Sequence, residues 1–379
     1  MSSGPSHVGL NLAFLTPGAV GGMEIYARGL IPALRRGSPS MRLTAFVHKQ
    51  AFPELRDSPW LEGVDVHSLS VGPSRVGWVL GDQLAVPRAA RRAGVELLHS
   101  LASTGPAVPR LPSVVTVHDL IYRHHPDAHS LLLRQGMRVL VPLAARRADR
   151  VIAISQATAR DLQQSGIDPQ RIDIVPNGGG KGPAAAPLPE TEVRSRLRLG
   201  DRPLVLSPSA KRPHKNLIRL LDAVAGMDGE PKPTVVIPGY PTPHEQELRS
   251  HAVALGISDR VHLPGWVDDA TMEGLYATAQ CVVFPSLYEG FGLPVLEAMA
   301  RGVPVACSNR SSLPEVAGDA ALLFDPEDSV AIGAAIERLL RDDETTRSLA
   351  AAGPIQAATF TWERSAACVL ASYAKAVAR

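Results

Sequence analysis

Two glutamates, Glu289 and Glu297, flank the turn Gly290-Phe291-Gly292-Leu293-Pro294. An apolar run over 281–284 leads into the turn, and helix-forming residues follow it as far as Ala300. Gly290 and Gly292 allow the backbone to come close to a ligand. Pro294 suits a first helical position, where its missing N–H would be unpaired in any case. The N–H groups of Leu293, Val295 and the residues after them are then expected to face whatever lies above the helix start, which is a natural anion site. Amides for a diphosphate and carboxylates for hydroxyls together suit a sugar nucleotide.

A second cluster, Ser209-Ala210-Lys211-Arg212-Pro213-His214-Lys215-Asn216, carries opposite charge. The chain has 33 arginines and only six lysines, yet Lys211 and Lys215 fall within five positions of each other, after a strand and at a helix start. Cations there oppose the helix macrodipole, and a bound anion would offset that cost. A solvated basic turn is the alternative. His118 ends another strand, and a lone histidine in that place is often structural. The first strand runs into Gly18, Gly21, Gly22 and Glu24. A dinucleotide fingerprint would need Gly-x-Gly-x-x-Gly and an acidic residue near the end of the second strand. Here the second strand ends at His48, so nicotinamide binding is disfavoured.

The elements that must position these residues alternate along the chain. Strands are expected at 9–15, 42–47, 64–69, 97–100, 113–118, 151–154 and 172–175, with helices at 23–35, 131–147 and 156–164 among them. Residues 177–189, rich in Gly and Pro, read as a linker. A second series follows, with strands at 203–207, 234–238, 261–264, 281–284, 303–306 and 321–324. Its helices are 216–225, 244–255, 272–277, 294–301, 329–341 and 344–358, and 362–378 is also helical in pattern. Such alternation predicts βαβ units and parallel sheets in two α/β halves, with ligands at the carboxyl ends of the strands. Ser155 reads as a helix cap.

Length and composition agree. The 379 residues suffice for about two or three domains, and 45% hydrophobic residues permit a sizeable core. A net charge of +2 argues against nucleic-acid binding. The charge is uneven, at +6 over 1–177 and −4 over 178–379. Basic clusters lie at Arg88, Arg91 and Arg92 and at Arg134, Arg138, Arg146 and Arg147. The three cysteines lack metal spacing, and their odd number beside a polar N-terminus fits a reducing cytoplasm. No apolar run approaches the ~18 residues of a membrane span.

The run from Pro285 to Ala300, continued through Gly302-Val303-Pro304-Val305 to Ser312-Leu313-Pro314-Glu315 and Ala321, closely resembles glycosyltransferase family 4. Glu289 and Glu297 resemble the paired glutamates of retaining glycosyltransferases of the GT-B fold. The resemblance implies two Rossmann-like domains whose parallel sheets face each other across a cleft. The expected divisions are an acceptor-binding domain at 1–177, a linker at 178–202, a nucleotide-sugar domain at 203–360, and a helix at 361–379 packing back toward the first domain. The resemblance assigns Arg212 and Lys215, with Lys211 as substitute, to the diphosphate. It assigns the amides of Phe291, Gly292 and Leu293 to phosphate and sugar, and Glu297 to the ribose. Glu289 takes sugar hydroxyls near the developing oxocarbenium, and His118 contacts the sugar's other edge. Gly22 matches the donor loop, while Gly21 and Glu24 are acceptor candidates.

The implied reaction moves a hexose or deoxyhexose from a nucleoside-diphosphate sugar to a small-molecule, glycan or lipid-linked acceptor, with no metal and no cofactor. The basic clusters of the first half are open to peripheral membrane contact, at the inner face of the membrane, or to plain solvation. An epimerase-like enzyme and a catalytically silent binding subunit stay as alternatives. Donor identity and oligomeric state are not specified.

Overall fold

The computed structural model describes residues 4–18, 21–128, 131–179, 185–230 and 232–378. They form two compact units, one of residues 1–178 with 360–379, the other of residues 179–359.

The first unit is built on a seven-stranded parallel sheet: β1 His7–Leu12, β2 Arg42–His48, β3 Asp65–Leu69, β4 Leu97–Ser100, β5 Ser113–Val117, β6 Arg150–Ala153 and β7 Ile172–Ile174, in the order β3-β2-β1-β4-β5-β6-β7. The second has six parallel strands: β8 Leu204–Leu206, β9 Thr234–Pro238, β10 Val261–Gly265, β11 Cys281–Phe284, β12 Val305–Ser308 and β13 Leu322–Phe324, in the order β10-β9-β8-β11-β12-β13. Every strand was expected from short apolar runs, because central parallel strands are covered on both faces and read as continuous apolar stretches. In each sheet the strand order reverses at one place, between β1 and β4 and between β8 and β11. Open α/β sheets bind ligands at such switch points. This is the GT-B pair of parallel α/β sheets.

Helices cover the sheets by burying stripes. In Leu217–Ala225 the residues Leu217, Leu220, Leu221 and Val224 are all fully buried, the spacing of an amphipathic face. Burying each leucine contributes ~2 kcal/mol. The stretch 178–202, expected to be linker, contains the helix Glu190–Leu197, which belongs to the second unit. Its single buried side chain, Val193, meets Gly274 of the helix Asp269–Thr278. Two apolar residues, Val193 and Leu197, among charged and polar ones give too weak a period to be read as a helix. Residues 180–184 of that stretch lie outside the described residues.

The helix Trp362–Val377 packs in the first unit against the helix Gly22–Gly37. A Cβ on Gly29 would fall inside the Trp362 indole. Tyr373 and the His99 ring share a hydrogen bond of 2.7 Å, and the Ser365 hydroxyl donates to the Pro176 carbonyl at 2.6 Å. Lys375 pairs with Asp173 at 2.6 Å. Among the described residues no helix is long and apolar enough to cross a membrane.

Candidate functional site

In the second unit the candidates follow β8 and β11, the two strands that flank the switch point. After β8 a single 3-10 turn, Pro213–Lys215, hands over to the helix Leu217–Ala225 through Asn216, whose backbone is left-handed at φ 59°. Asparagine tolerates that conformation better than most residues. Its buried amide donates to the carbonyls of Pro285, at 3.0 Å, and Pro326, at 2.7 Å. The Leu287 amide donates to the His214 carbonyl at 2.9 Å. These bonds tie the loop after β8 to the loop after β11.

The result is a close pair: the Lys215 ammonium donates to Glu289 Oε1 at 2.6 Å, with both side chains mostly buried. The ammonium also lies 5.2 Å from the centre of the Phe284 ring, at the end of β11, a further attraction for a partly desolvated cation. Arg212 is exposed, and its guanidinium has no partner among the described residues. Lys211 differs. It is fully buried, and its ammonium donates to the Gly239 carbonyl at 2.6 Å, with Glu245 3.9 Å away. Burial holds its pKa below the ordinary lysine value. Lys211 thus braces the loop after β9, while Arg212 and Lys215 remain the cations available to a ligand.

Beyond Glu289 the chain turns through Gly292, at φ 116°, where a Cβ would lie 2.7 Å from Leu313 Cδ2. Only glycine fits there without strain. The helix Leu293–Ala300 then begins, with Pro294 in its first turn. The N–H groups of Gly292 and Leu293 have no acceptor among the described residues. That of Val295, expected to be open, instead donates to the Gly292 carbonyl at 3.0 Å, because the first turn of the helix closes on its cap residue. Phe291 is buried. Glu297, one turn into the helix, is half-buried and accepts from the Tyr276 hydroxyl at 3.3 Å. Arg301 stacks 4.7 Å over the Tyr276 ring and pairs with Glu273 at 2.6 Å.

Two serines escaped assignment. The Ser312 hydroxyl, fully buried, lies 3.0 Å from the Glu289 carbonyl and 2.7 Å from the Phe291 carbonyl. The Ser311 hydroxyl also donates to the Glu289 carbonyl, from a residue with φ 58°. Together they hold the carboxylate-bearing loop in shape. The cue was present, since Ser312 belongs to the run that carried the resemblance, but side-chain-to-backbone anchors have no spacing rule.

In the first unit the candidates follow β1, at the switch point, and β5, two strands along the sheet. His118 follows β5 and is buried, and its Nε2 donates to the Leu101 carbonyl at 2.6 Å. Burial lowers its pKa. A neutral ring that donates through Nε2 carries its lone pair on Nδ1, so His118 can accept a hydroxyl hydrogen there. Gly21 caps the helix Gly22–Gly37 at φ 57°, and a Cβ on Gly21 or Gly22 would meet nothing within 4 Å. Ala19 and Val20 of this loop lie outside the described residues. Glu24, an acceptor candidate, is buried; its carboxylate takes the Gly18 amide at 2.8 Å and the Arg28 guanidinium at 2.8 Å. It therefore clamps the glycine loop. Near the end of β1, Asp82 is buried, accepting from Asn11 at 2.7 Å and Thr104 at 2.6 Å. Burial pushes its carboxyl up to about 6.

Comparison with known proteins agrees with this fold. Residues 190–356 match the family described as Glycosyl transferases group 1, and residues 20–178 match Glycosyltransferase Family 4. The chain is 31% identical over 316 residues to the MMP alpha-(1->4)-mannosyltransferase of Mycolicibacterium hassiacum, an alignment spanning 77% of this chain and 73% of that protein. It is 41% identical over 164 residues to the O-antigen chain mannosyltransferase B of Escherichia coli, but spans only 43% of that protein and 42% of this chain. Among solved structures, sucrose-phosphate synthase from Thermosynechococcus elongatus superposes with a TM-score of 0.75 at 23% identity, covering 96% of each chain. Anabaena Alr3699/HepE in complex with UDP-glucose gives a TM-score of 0.72 at 22% identity over 97% of this chain and 99% of that one. The chain belongs to glycosyltransferase family 4.

Proposed function

We propose that the chain transfers a hexosyl or deoxyhexosyl unit from a nucleoside-diphosphate sugar to an acceptor hydroxyl, with retention of anomeric configuration and without a divalent metal. The observation that carries this reading is the Lys215–Glu289 pair at 2.6 Å beside the open amides of Gly292 and Leu293. An ammonium has three donors. One goes to Glu289, which leaves two for phosphate oxygens.

In this reading Arg212, Lys215 and the two amides meet the negative charge of the departing diphosphate. Fixed donors aimed at developing charge need no reorganisation during the reaction. Glu289 orients the sugar hydroxyls and lies near the positive charge that grows at the anomeric carbon, while Glu297 takes the ribose hydroxyls. The bond from the anomeric carbon to the phosphate oxygen breaks as the acceptor oxygen bonds on the same face, and the acceptor proton passes to a departing phosphate oxygen. The mannosyltransferases among the relatives make a mannose donor the first to test, and the UDP-glucose complex of the Anabaena protein supports a nucleotide sugar. Two of the three free cysteines are buried thiols, Cys281 and Cys307, which supports a cytoplasmic setting.

The test has two stages. A thermal-shift screen with UDP, GDP, TDP and ADP identifies the nucleotide, since a ligand that binds the folded state raises the midpoint. Turnover of the corresponding sugar nucleotides, with and without EDTA, is then compared for wild type, Lys215→Ala and Glu289→Ala. Losses of about a hundredfold or more are expected for both variants, and activity is expected to survive EDTA. Folded variants that keep the wild-type rate would overturn the assignment, and binding without turnover of any donor would favour a silent binding subunit.

A further inference from the structure

In the first unit Tyr26 links two other rings, those of His118 and Trp362. It is fully buried on the helix Gly22–Gly37, and its ring centre lies 5.0 Å from that of the His118 imidazole, with the planes at 89°. The Trp362 indole meets the same tyrosine at 5.9 Å and 67°. Perpendicular contacts of this kind are attractive, because the positive edge of one ring meets the negative face of the other. The Tyr26 hydroxyl lies 3.0 Å from the Thr116 hydroxyl. Thr116 belongs to β5, two residues before His118, so Tyr26 is fastened to the strand that carries the histidine.

The indole sits in a slot made for it. A Cβ on Gly29 or on Gly178 would collide with it, so both glycines leave room for Trp362. Gly178 ends the first segment of this unit, and Trp362 lies near the start of the second, residues 360–379. His118 is also held by the loop after β4. Its amide donates to the Ser103 hydroxyl at 3.0 Å, and its Nε2 donates to the Leu101 carbonyl at 2.6 Å. Ser103 is left-handed at φ 61°, a strained conformation for serine that persists only where the surroundings impose it. The Leu101 bond selects the tautomer but holds the ring plane loosely. Nε2 lies close to the axis about which the ring turns, and that torsion has a broad range in histidine. Nδ1 lies farther from the axis and swings more widely. The perpendicular Tyr26 ring is what limits that swing.

We propose that Tyr26 is a positioning residue for the transfer reaction: its ring holds the His118 imidazole in the plane and tautomer that leave Nδ1 open to a sugar hydroxyl, and Trp362 acts through Tyr26. Nδ1 has no partner among the described residues. Tyr26 has this role only if His118 contacts the sugar, as the resemblance implies. The C-terminal helix then influences the rate of transfer through packing alone.

Nitrogen NMR of the full chain with isotope-labelled histidine reads the tautomer with no donor present. The chain has 12 histidines, and the His118 signals are those missing from His118→Ala. Wild type and Tyr26→Phe, which keeps the ring, should show the Nε2–H tautomer alone. Tyr26→Leu and Trp362→Leu should move both nitrogen shifts toward the average of the two tautomers. Turnover of GDP-mannose and of UDP-glucose gives the second readout. In Tyr26→Leu kcat should fall about tenfold while KM for the donor holds, because the diphosphate contacts are untouched. Tyr26→Phe should stay within about twofold of wild type. In a His118→Ala background Tyr26→Leu should cost nothing further, since residues that act as a unit are not additive. Circular dichroism checks folding, and Trp362→Leu, at a partly exposed position, serves if Tyr26→Leu unfolds. An unchanged tautomer and kcat in a folded Tyr26→Leu, or equal losses in the Phe and Leu variants, overturn the proposal. A His118→Ala variant that keeps the wild-type rate removes the sugar contact and the role of Tyr26 with it. A slow His118→Ala beside a fully active Tyr26→Leu removes the positioning role alone.

Discussion

Replacing Asp82 with asparagine should change how the stability of the first unit depends on pH. The carboxyl is buried among Asn11, Thr104 and Trp78, and desolvation raises its pKa from 3.8 to about 6, outweighing the hydrogen bonds that favour its charged form. In the unfolded chain it titrates at its ordinary value. Between pH 4 and 6 the folded protein therefore holds a proton that the unfolded chain has released, so stability falls as pH rises through this window. The distance between the two titration midpoints corresponds to ~3 kcal/mol, fully felt above pH 7 and gone by about pH 3. Other carboxylates titrate in the same range, some with the opposite sign, so the informative quantity is the difference between wild type and Asp82→Asn. The amide keeps one acceptor for Asn11, and its NH2 can donate to the Thr104 hydroxyl, which serves either role. Urea unfolding followed by far-ultraviolet circular dichroism, at half-unit steps from pH 4 to 7.5, measures that difference. Asp82→Asn should gain on wild type by ~2.5 kcal/mol across the series. A flat difference would refute the argument that burial, rather than hydrogen bonding, controls this group.

Further outcomes concern the anchors of the second unit and the packing of the first. Ser312→Ala frees the Glu289 and Phe291 carbonyls, and kcat/KM for the donor should fall about tenfold, the equivalent of one lost hydrogen bond, with little change in Tm. Asn216→Ala leaves the Pro285 and Pro326 carbonyls without their donor and should cost ~2–4 kcal/mol in chemical denaturation. Gly29→Ala drives a methyl into the Trp362 ring and should cost ~1–3 kcal/mol; combining it with Trp362→Ala should restore part of the loss as a non-additive term in a double-mutant cycle.

Strand placement was legible because parallel strands leave a simple trace, a short apolar run bounded by glycines, prolines or polar residues. The helices between residues 75 and 92 and over Glu190–Leu197 were not legible. The first is broken by a π turn, and the second buries a single side chain, so neither has a clean period. At the candidate site, residue type carried far: lysine in an arginine-rich chain pointed to Lys215, and glycine before proline pointed to Gly292. What residue type could not show is commitment. Lys211 and Glu24 have the chemistry of ligand-binding groups, but one is engaged by the Gly239 carbonyl and the other by Gly18 and Arg28. Only the Glu24–Arg28 pair, four residues apart on one helix, was there to be read; the Gly239 and Gly18 engagements involve backbone atoms placed by loop geometry, and a linear pattern holds no record of them. Ser311, Ser312 and Asn216 were missed for the same reason.

Because the first unit is completed by residues 360–379, it is discontinuous along the polypeptide. During synthesis its seven strands emerge from the ribosome long before the segment bearing Trp362, Tyr373 and Lys375. The grooves that receive these side chains, beside Gly29, His99 and Asp173, stay uncovered while the whole second unit is made. That second unit, continuous from residue 179 to 359, has no such wait. Order of synthesis and order of completion are therefore opposite, and a nascent chain stalled near residue 359 would present an N-terminal half open to proteases or chaperones beside a finished C-terminal one.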